Sequence, residues 1–304
     1  MSPKSKTKLS PHKSLLETSR STTTSHQDNS EEASEEQSSG SGSTIDGQDG
    51  DHPLSGVENA EELPAPEDIN DNGFASSDLV NKVEELFGSY RTKCFFSKNW
   101  ALREAALTKM TLLSPAIVSD TNGECAEAMC NIIESAIEDK NVQVSLAALV
   151  LLDECITGFE DIDAPASKIT SLVSRIVLNL LGKLDDSKQK VVDSAELALL
   201  SLASSSCIDK TIIINGASKR VRSKDSKGGR VVKARLHFIE NLATEFGDCV
   251  AWKRVVEFAK GQKAFEHKDG GVRDAAKSLI VTLVVVSSYH ASLFVVFLSA
   301  RFAA

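Results

Sequence analysis

An aliphatic residue followed three positions later by a small-residue slot recurs along this chain at intervals near forty residues. The pairs are Leu102/Ala105, Val144/Ala147, Val192/Ala195 and Val272/Ala275, whose starts are 42, 48 and 80 residues apart. An interval of 80 is two periods of 40, which predicts a further member near position 232. Val232 does open a run there, through Phe238, Ile239, Leu242 and Phe246, with Arg235 in the slot that alanine fills elsewhere. A fixed period of this length marks a supersecondary unit repeated along the chain.

Each of these segments follows another of helical period. Leu79, Val83, Leu86 and Phe87 share one face of 79–87, and Met129, Ile132, Ile133, Ala136 and Ile137 share one face of 124–138. The cleanest stripe runs through 168–184, with Ile169, Leu172, Val173, Ile176, Val177, Leu180, Leu181 and Leu184. A short run, Ile212 to Ile214, precedes the fourth member, and 250–259 with Trp252, Val255, Val256 and Phe258 precedes the fifth. Gly88, Gly158, Gly182 and Gly247 stand where helices are expected to stop. The unit is a pair of antiparallel helices, and one pair cannot bury its own apolar face. Neighbours must stack, so the expected fold is all-α, an α-solenoid of about five helical hairpins over 76–286. Unrelated helices in an ordinary bundle, the competing architecture, have no reason to keep a common register.

The first 75 residues have a different character. They contain no aromatic residue before Phe74 and are crowded with Ser, Thr, Gly, Asp and Glu. A segment with so little apolar surface is expected to be disordered. It holds 15 acidic and 5 basic residues, a balance of −10 against −9 for the whole chain, so 76–304 sits at +1. The acidity belongs to the leader, and the folded part is free to carry a locally basic face. Six cysteines form no C-x-x-C pair and have no zinc spacing with the six histidines, so a reducing compartment with no metal is expected. At the other end, Ser278 to Ala300 contains no charged residue. Residues 279–300 are long enough to cross a bilayer. The register, however, assigns Val272–Val286 to the last repeat, which leaves 287–304 as a hydrophobic tail.

Stacking in register places the turns inside the hairpins along one edge. A lysine stands four residues before the aliphatic position in four of them: Lys98, Lys140, Lys188 and Lys268. The fourth turn has Lys227 five before, within a run that also holds Lys219, Arg220, Arg222, Lys224, Arg230 and Lys233. A row of cations steers an acidic partner and fixes its orientation. No aromatic residue interleaves the basic run, which argues against nucleic acid as the ligand. Trp100 follows the first turn directly, either as a cap on the open end of the stack or as an exposed anchor beside the lysines. No catalytic arrangement emerges. His237, His267 and His290 lack a nucleophile partner in any motif, Asp185-Asp186 reads as a turn, and Gly270-Gly271 has no phosphate-loop context. Neither enzymatic activity nor a cofactor is expected.

The first unit reads Ser97-Lys98-Asn99-Trp100-Ala101-Leu102-Arg103-Glu104-Ala105-Ala106-Leu107, after Leu86-Phe87-Gly88 and Cys94. This resembles a TOG domain, the tubulin-binding array of HEAT-like hairpins, and is most like the TOG domain of the ciliary-tip centrosomal branch. The resemblance covers about 76–286. It implies that Trp100, supported by Lys98, packs against one tubulin subunit. Lys140, Asn141 and Val142 would form the second contact and Lys188 with Lys190 the third, while Arg230 and Lys268 would reach the other subunit. It further implies a cytoplasmic, cytoskeletal protein of microtubules, centrosome or cilium. Arg103 and Arg273 are expected to bond within the stack, Arg273 to Asp269. A HEAT scaffold for another protein partner, or one anchored to a membrane through 279–300, is the alternative, because a fold alone does not set its partner.

Overall fold

The computed structural model describes residues 52–69, 77–120, 125–161, 165–221, 227–247 and 250–286. Residues 1–51, the middle of the fourth turn, Cys249 and the tail 287–304 lie outside these. So do the expectations placed on them: disorder of the leader up to 51, Lys224 in the basic run, and most of a bilayer span over 279–300.

Eleven α-helices and no strand occur among the described residues. They are α1 (Ser77–Phe87), α2 (Ser89–Phe95), α3 (Trp100–Asp120), α4 (Ala126–Ile137), α5 (Val142–Glu160) and α6 (Ala166–Lys183). There follow α7 (Gln189–Ser204), α8 (Thr211–Ala217), α9 (Lys227–Phe246), α10 (Trp252–Gly261) and α11 (Gly270–Val286). Hairpin partners are α2 with α3, α4 with α5, α6 with α7 and α8 with α9, while α10 meets α11 through a 3₁₀ turn at Ala264–Glu266. Between hairpins, α3 packs on α5, α5 on α7 and α9 on α11 to form one layer. The other layer runs α1, α4, α6, α8. Five hairpins stacked in register are the α-solenoid the period predicts.

Burial follows the stripes. Ile169, Val173, Ile176, Val177, Leu180 and Leu181 are the inner face of α6. The centre of the stack is α5, where Val144, Leu149, Leu151, Leu152, Cys155 and Phe159 are all buried because neighbours cover it on several sides. By length and composition α5 could cross a membrane, the one such helix among the described residues. Here its apolar surface is used for packing. Slot residues Ala105, Ala195 and Ala275 are buried, and small residues there let the helices approach. In α11, Val272, Ala275, Ala276, Leu279 and Leu283 face the core, so 272–286 is the last repeat's second helix, as the register assigns.

Three details depart from the sequence reading. Gly158 lies inside α5 rather than ending it, and a Cβ there would meet Val118 Cγ1 of α3 at 2.9 Å, so its role is close helix packing. Gly182 likewise lies within α6. Gly88, at φ +77°, does break the chain, but a second short helix, α2, continues beyond it and buries Cys94 and Phe95.

The largest departure is in the leader. Residues 52–69 do not conform to the disorder expected of 1–75. Leu54 is fully buried, and Ala60 with the flanking Val57 and Leu63 joins the same core. The Arg91 guanidinium donates from Nε to Pro53 O at 2.9 Å and from Nη1 to Phe87 O at 2.8 Å. Lys109 Nζ donates to Ser55 O at 2.6 Å, the His52 ring stands edge-on to Tyr90, and Lys93 pairs with Asp68 at 2.7 Å. Average composition is a poor guide here because a few well-placed anchors suffice when a preformed helical surface lacks a neighbour. Among the described residues the segment packs on the first hairpin where no other repeat does, the part end caps play in solenoids. Leu54→Ala is expected to lower the unfolding free energy by about 2 kcal/mol, at the lower end for a buried leucine because the site is peripheral. Urea denaturation reads this directly; an unchanged midpoint would show that the segment adds nothing to the fold.

Candidate functional site: the row of intra-repeat turns

The turns share one construction. In four of the five an early polar side chain accepts the backbone N–H two residues on: Ser97 Oγ from Asn99 at 3.1 Å, Asp139 Oδ1 from Asn141 at 2.7 Å, Asp186 Oδ1 from Lys188 at 2.9 Å and His267 Nδ1 from Asp269 at 3.1 Å. Three turns then cap the helix that follows. Asn99 Oδ1 accepts from Ala101, Asn141 Oδ1 from Gln143 and Asp269 Oδ1 from Gly271, all at 2.9 to 3.0 Å. These bonds satisfy donors that a helix start would otherwise leave unmade.

A side chain from inside each following helix reaches back to hold four of the turns. Arg103 Nη1 donates to Ser97 O at 2.8 Å and Lys98 O at 3.0 Å, and Arg273 Nη1 does the same to His267 O at 2.6 Å and Lys268 O at 3.2 Å. Ser145 Oγ serves the second turn through Ile137 O and Asp139 O. In the fourth, Arg235 Nη1 donates to Lys219 O at 2.9 Å and Gly216 O at 3.4 Å. Arg103 and Arg273 therefore bond within the stack as expected, although Arg273 takes the turn carbonyls and not the Asp269 side chain. Arg235 is a turn-holding residue to which the repeat pattern alone assigns no role. A charged residue in a slot otherwise held by alanine is the signal that could have exposed it.

Further contacts tie successive turns together. Arg103 grips the Asp139 carboxylate of the second turn through Nε at 2.7 Å and Nη2 at 3.0 Å. Burial pushes the Glu104 carboxyl of α3 up, and the Lys190 ammonium in the first turn of α7 opposes that shift. Arg230 Nη2 stands 3.4 Å from Asp185 Oδ2 of the third turn. A Cβ at Gly229 would lie 3.0 Å from His267 Cε1, so the fifth turn packs closely against the start of α9 and a larger residue would have to displace the imidazole.

The consequence is a division of labour within each turn. Backbone and acidic groups bond inward, and Lys98, Lys140, Lys188, Lys190 and Lys268 are left exposed, with no carboxylate within 4 Å among the described residues. Trp100 opens α3 with 44% of its surface exposed, a large fraction for an indole, and so leaves an aromatic face beside Lys98. The other candidate residues are less free. Asn141 is half-buried with its oxygen committed to the cap, Val142 is half-buried in the first turn of α5, and Arg230 is exposed but already paired. The free thiols lie elsewhere: Cys94, Cys125, Cys130 and Cys155 are buried, and burial pushes Cys94 and Cys130 to about 12, which keeps them protonated and unreactive near neutrality. Among the described residues no three His, Cys, Asp or Glu side chains cluster as a metal site would require.

The fold is a HEAT-type solenoid with a rim of internally bonded polar turns, an architecture whose extended surfaces suit binding of other proteins. The profile of the XMAP215/Dis1/CLASP, TOG domain family matches residues 92–297. The chain belongs to that family. Among solved structures it is similar to the TOG domain of human Cep104, with a TM-score of 0.59 and 19% identity over 73% of this chain and 86% of that one. A second structure of the CEP104 TOG domain aligns with a TM-score of 0.57 and 22% identity, over 74% and 90% of the two chains. TOG3 of Drosophila melanogaster Mini spindles aligns with a TM-score of 0.50 and 16% identity, over 75% and 88%. A search of curated protein sequences returns no significant match.

Removing either partner of the Arg103–Asp139 pair leaves a largely enclosed charge without its counterpart. Arg103→Ala and Asp139→Ala are each expected to cost about 2 kcal/mol in urea denaturation, with a double-mutant cycle giving a coupling of about 1.5 kcal/mol or more. Additive losses would show that the two turns are held by something else.

Proposed function

We propose that this chain is a tubulin-binding module that engages the acidic surface of the tubulin dimer through its intra-repeat turns. The observation that carries the reading is the juxtaposition of exposed Trp100 with Lys98 at the head of a row of cations whose backbone is bonded from within. Turns held by Arg103, Ser145, Arg235 and Arg273 lose little freedom on docking, so less of the contact energy is offset by ordering. Lys98, Lys140, Lys188, Lys190 and Lys268 supply the steering field, and Trp100 supplies the large apolar contact that lysines cannot.

In this reading Trp100 and Lys98 pack against one subunit. Lys140, with the Asn141 amide nitrogen and Val142, extends the contact, and Lys188 and Lys190 continue it. Lys268 and Arg230 meet the second subunit, with Arg230 exchanging Asp185 for a carboxylate of the partner. Such a module works in the cytoplasm on the microtubule cytoskeleton, including centrosomal and ciliary arrays. The competing reading, a scaffold for a different acidic protein, uses the same lysines but has no need of the exposed indole.

Gel filtration of the purified chain with tubulin tests the proposal. Reversing Lys98, Lys140 and Lys188 to Glu together is expected to weaken binding about tenfold or more with unchanged helicity by circular dichroism. Trp100→Glu is expected to do the same alone. Binding that survives Trp100→Glu at low salt would favour the scaffold reading, and a collapse of helicity in the triple variant would show those lysines to be structural.

A further inference from the structure

We propose that a cationic cleft between the start of the fourth turn and α10 holds the acidic stretch Asp28–Glu36 of the same chain. The cleft adjoins the fourth turn and takes in none of Lys98, Lys140, Lys188, Lys190 and Lys268. It is open to solvent, with a volume of about 760 Å³, within the range of natural ligand sites. Lys219 and Arg220 form one wall, Lys253 and Arg254 the other, and Glu257 is the single acid among them. Gln262 Nε2, donating to Val221 O at 3.5 Å, links the two segments, and buried Phe258 also lines the cleft.

None of the four cations has a carboxylate within 4 Å among the described residues. Four cations against the one carboxylate of Glu257 leave a net positive local potential, which an anionic ligand relieves. The cations come as two consecutive pairs, Lys219 with Arg220 and Lys253 with Arg254, on two separate elements, which suits a ligand carrying several carboxylates rather than a single one. Along the rim, by contrast, lysines stand singly or in pairs on separate turns.

The chain carries a ligand of that description. Asp28, Glu31, Glu32, Glu35, Glu36, Asp46, Asp49 and Asp51 fall in a stretch with no Lys or Arg. The described chain begins immediately after it, at His52, with Pro53 and Ser55 bonded to α2 and α3 in the first hairpin. Packed helices lie about 10 Å apart, so the fourth and fifth hairpins are about 30 to 40 Å away. The sixteen residues from Glu36 to His52 span up to about 50 Å when extended, enough to bring Glu31–Glu36 to the cleft. The tether supplies an effective concentration in the millimolar range, so individually weak charge pairs suffice. An acidic partner approaching the fourth turn then meets a field already partly neutralised by the chain's own carboxylates.

The test compares the full-length chain with a Glu31→Gln, Glu32→Gln, Glu35→Gln, Glu36→Gln variant by amide chemical shifts, without any partner present, so its outcome is independent of the tubulin reading. At low salt, shift differences are expected at Arg220, Lys253 and Arg254. They should be independent of protein concentration and should vanish in about 1 M NaCl, where the Debye length falls to about 3 Å. The same comparison in a Lys253→Glu, Arg254→Glu background should show no difference, and both residues are exposed, so the fold is not at risk. No difference in the parent background, differences confined to Lys98, Lys140 and Lys188, or differences that persist after the charge reversal would each overturn the proposal. So would differences that grow with concentration, which would place the leader of a second copy in the cleft.

Discussion

A helical hairpin of this chain leaves an apolar face that only another hairpin can cover, and the remaining features are consequences of meeting that requirement repeatedly. The case is clearest at α5, a helix apolar enough to cross a membrane that is instead enclosed by α3, α4 and α7. Burial on this scale is the dominant favourable term in folding, and it is only available when successive units keep the same register. Slot alanines and Gly158 permit the close approach, and register in turn brings every loop within a hairpin to the same edge.

An edge built of turns has its own problem, since backbone groups leave the helices unpaired there. The solution repeats with variations. A side chain within the turn accepts an amide, a cap closes the next helix, and an arginine or serine from that helix takes the loose carbonyls. Because acidic residues such as Asp139 and Asp186 are consumed in this bonding, the lysines beside them lose potential partners and remain available to solvent. The positive character of the rim thus arises less from an excess of basic residues than from the sequestration of the acidic ones. This reconciles a nearly neutral folded region with a locally cationic edge.

Ends are where a repeat architecture differs from its interior. At the first hairpin a segment of the acidic leader takes the place of a neighbouring unit and supplies Leu54, with Arg91 and Lys109 collecting its carbonyls. The same leader therefore has two characters: a stretch that completes the core, and upstream of it a run of carboxylates whose charge opposes that of the turns. Charge balance of the whole chain, dominated by the leader, conceals both the cap and the rim.

Much of this was legible in the residues alone. Helical period, the forty-residue repeat, the lysine four positions before each aliphatic slot and the inward role of Arg103 are all local patterns, and local spacing survives folding unchanged. What the tertiary structure decided involves residues distant in the chain. Docking of Leu54, the grip of Arg103 on Asp139, the contact of Gly158 with Val118 and the reach of Arg235 to the fourth turn depend on how hairpins meet, and no spacing encodes that. Arg235 shows the limit most plainly: as a sequence it is a failed alanine, and only the packed hairpin reveals two carbonyls waiting for a donor. Periodicity determined which faces are buried; the geometry of stacking determined which polar groups are satisfied and which are left facing the solvent.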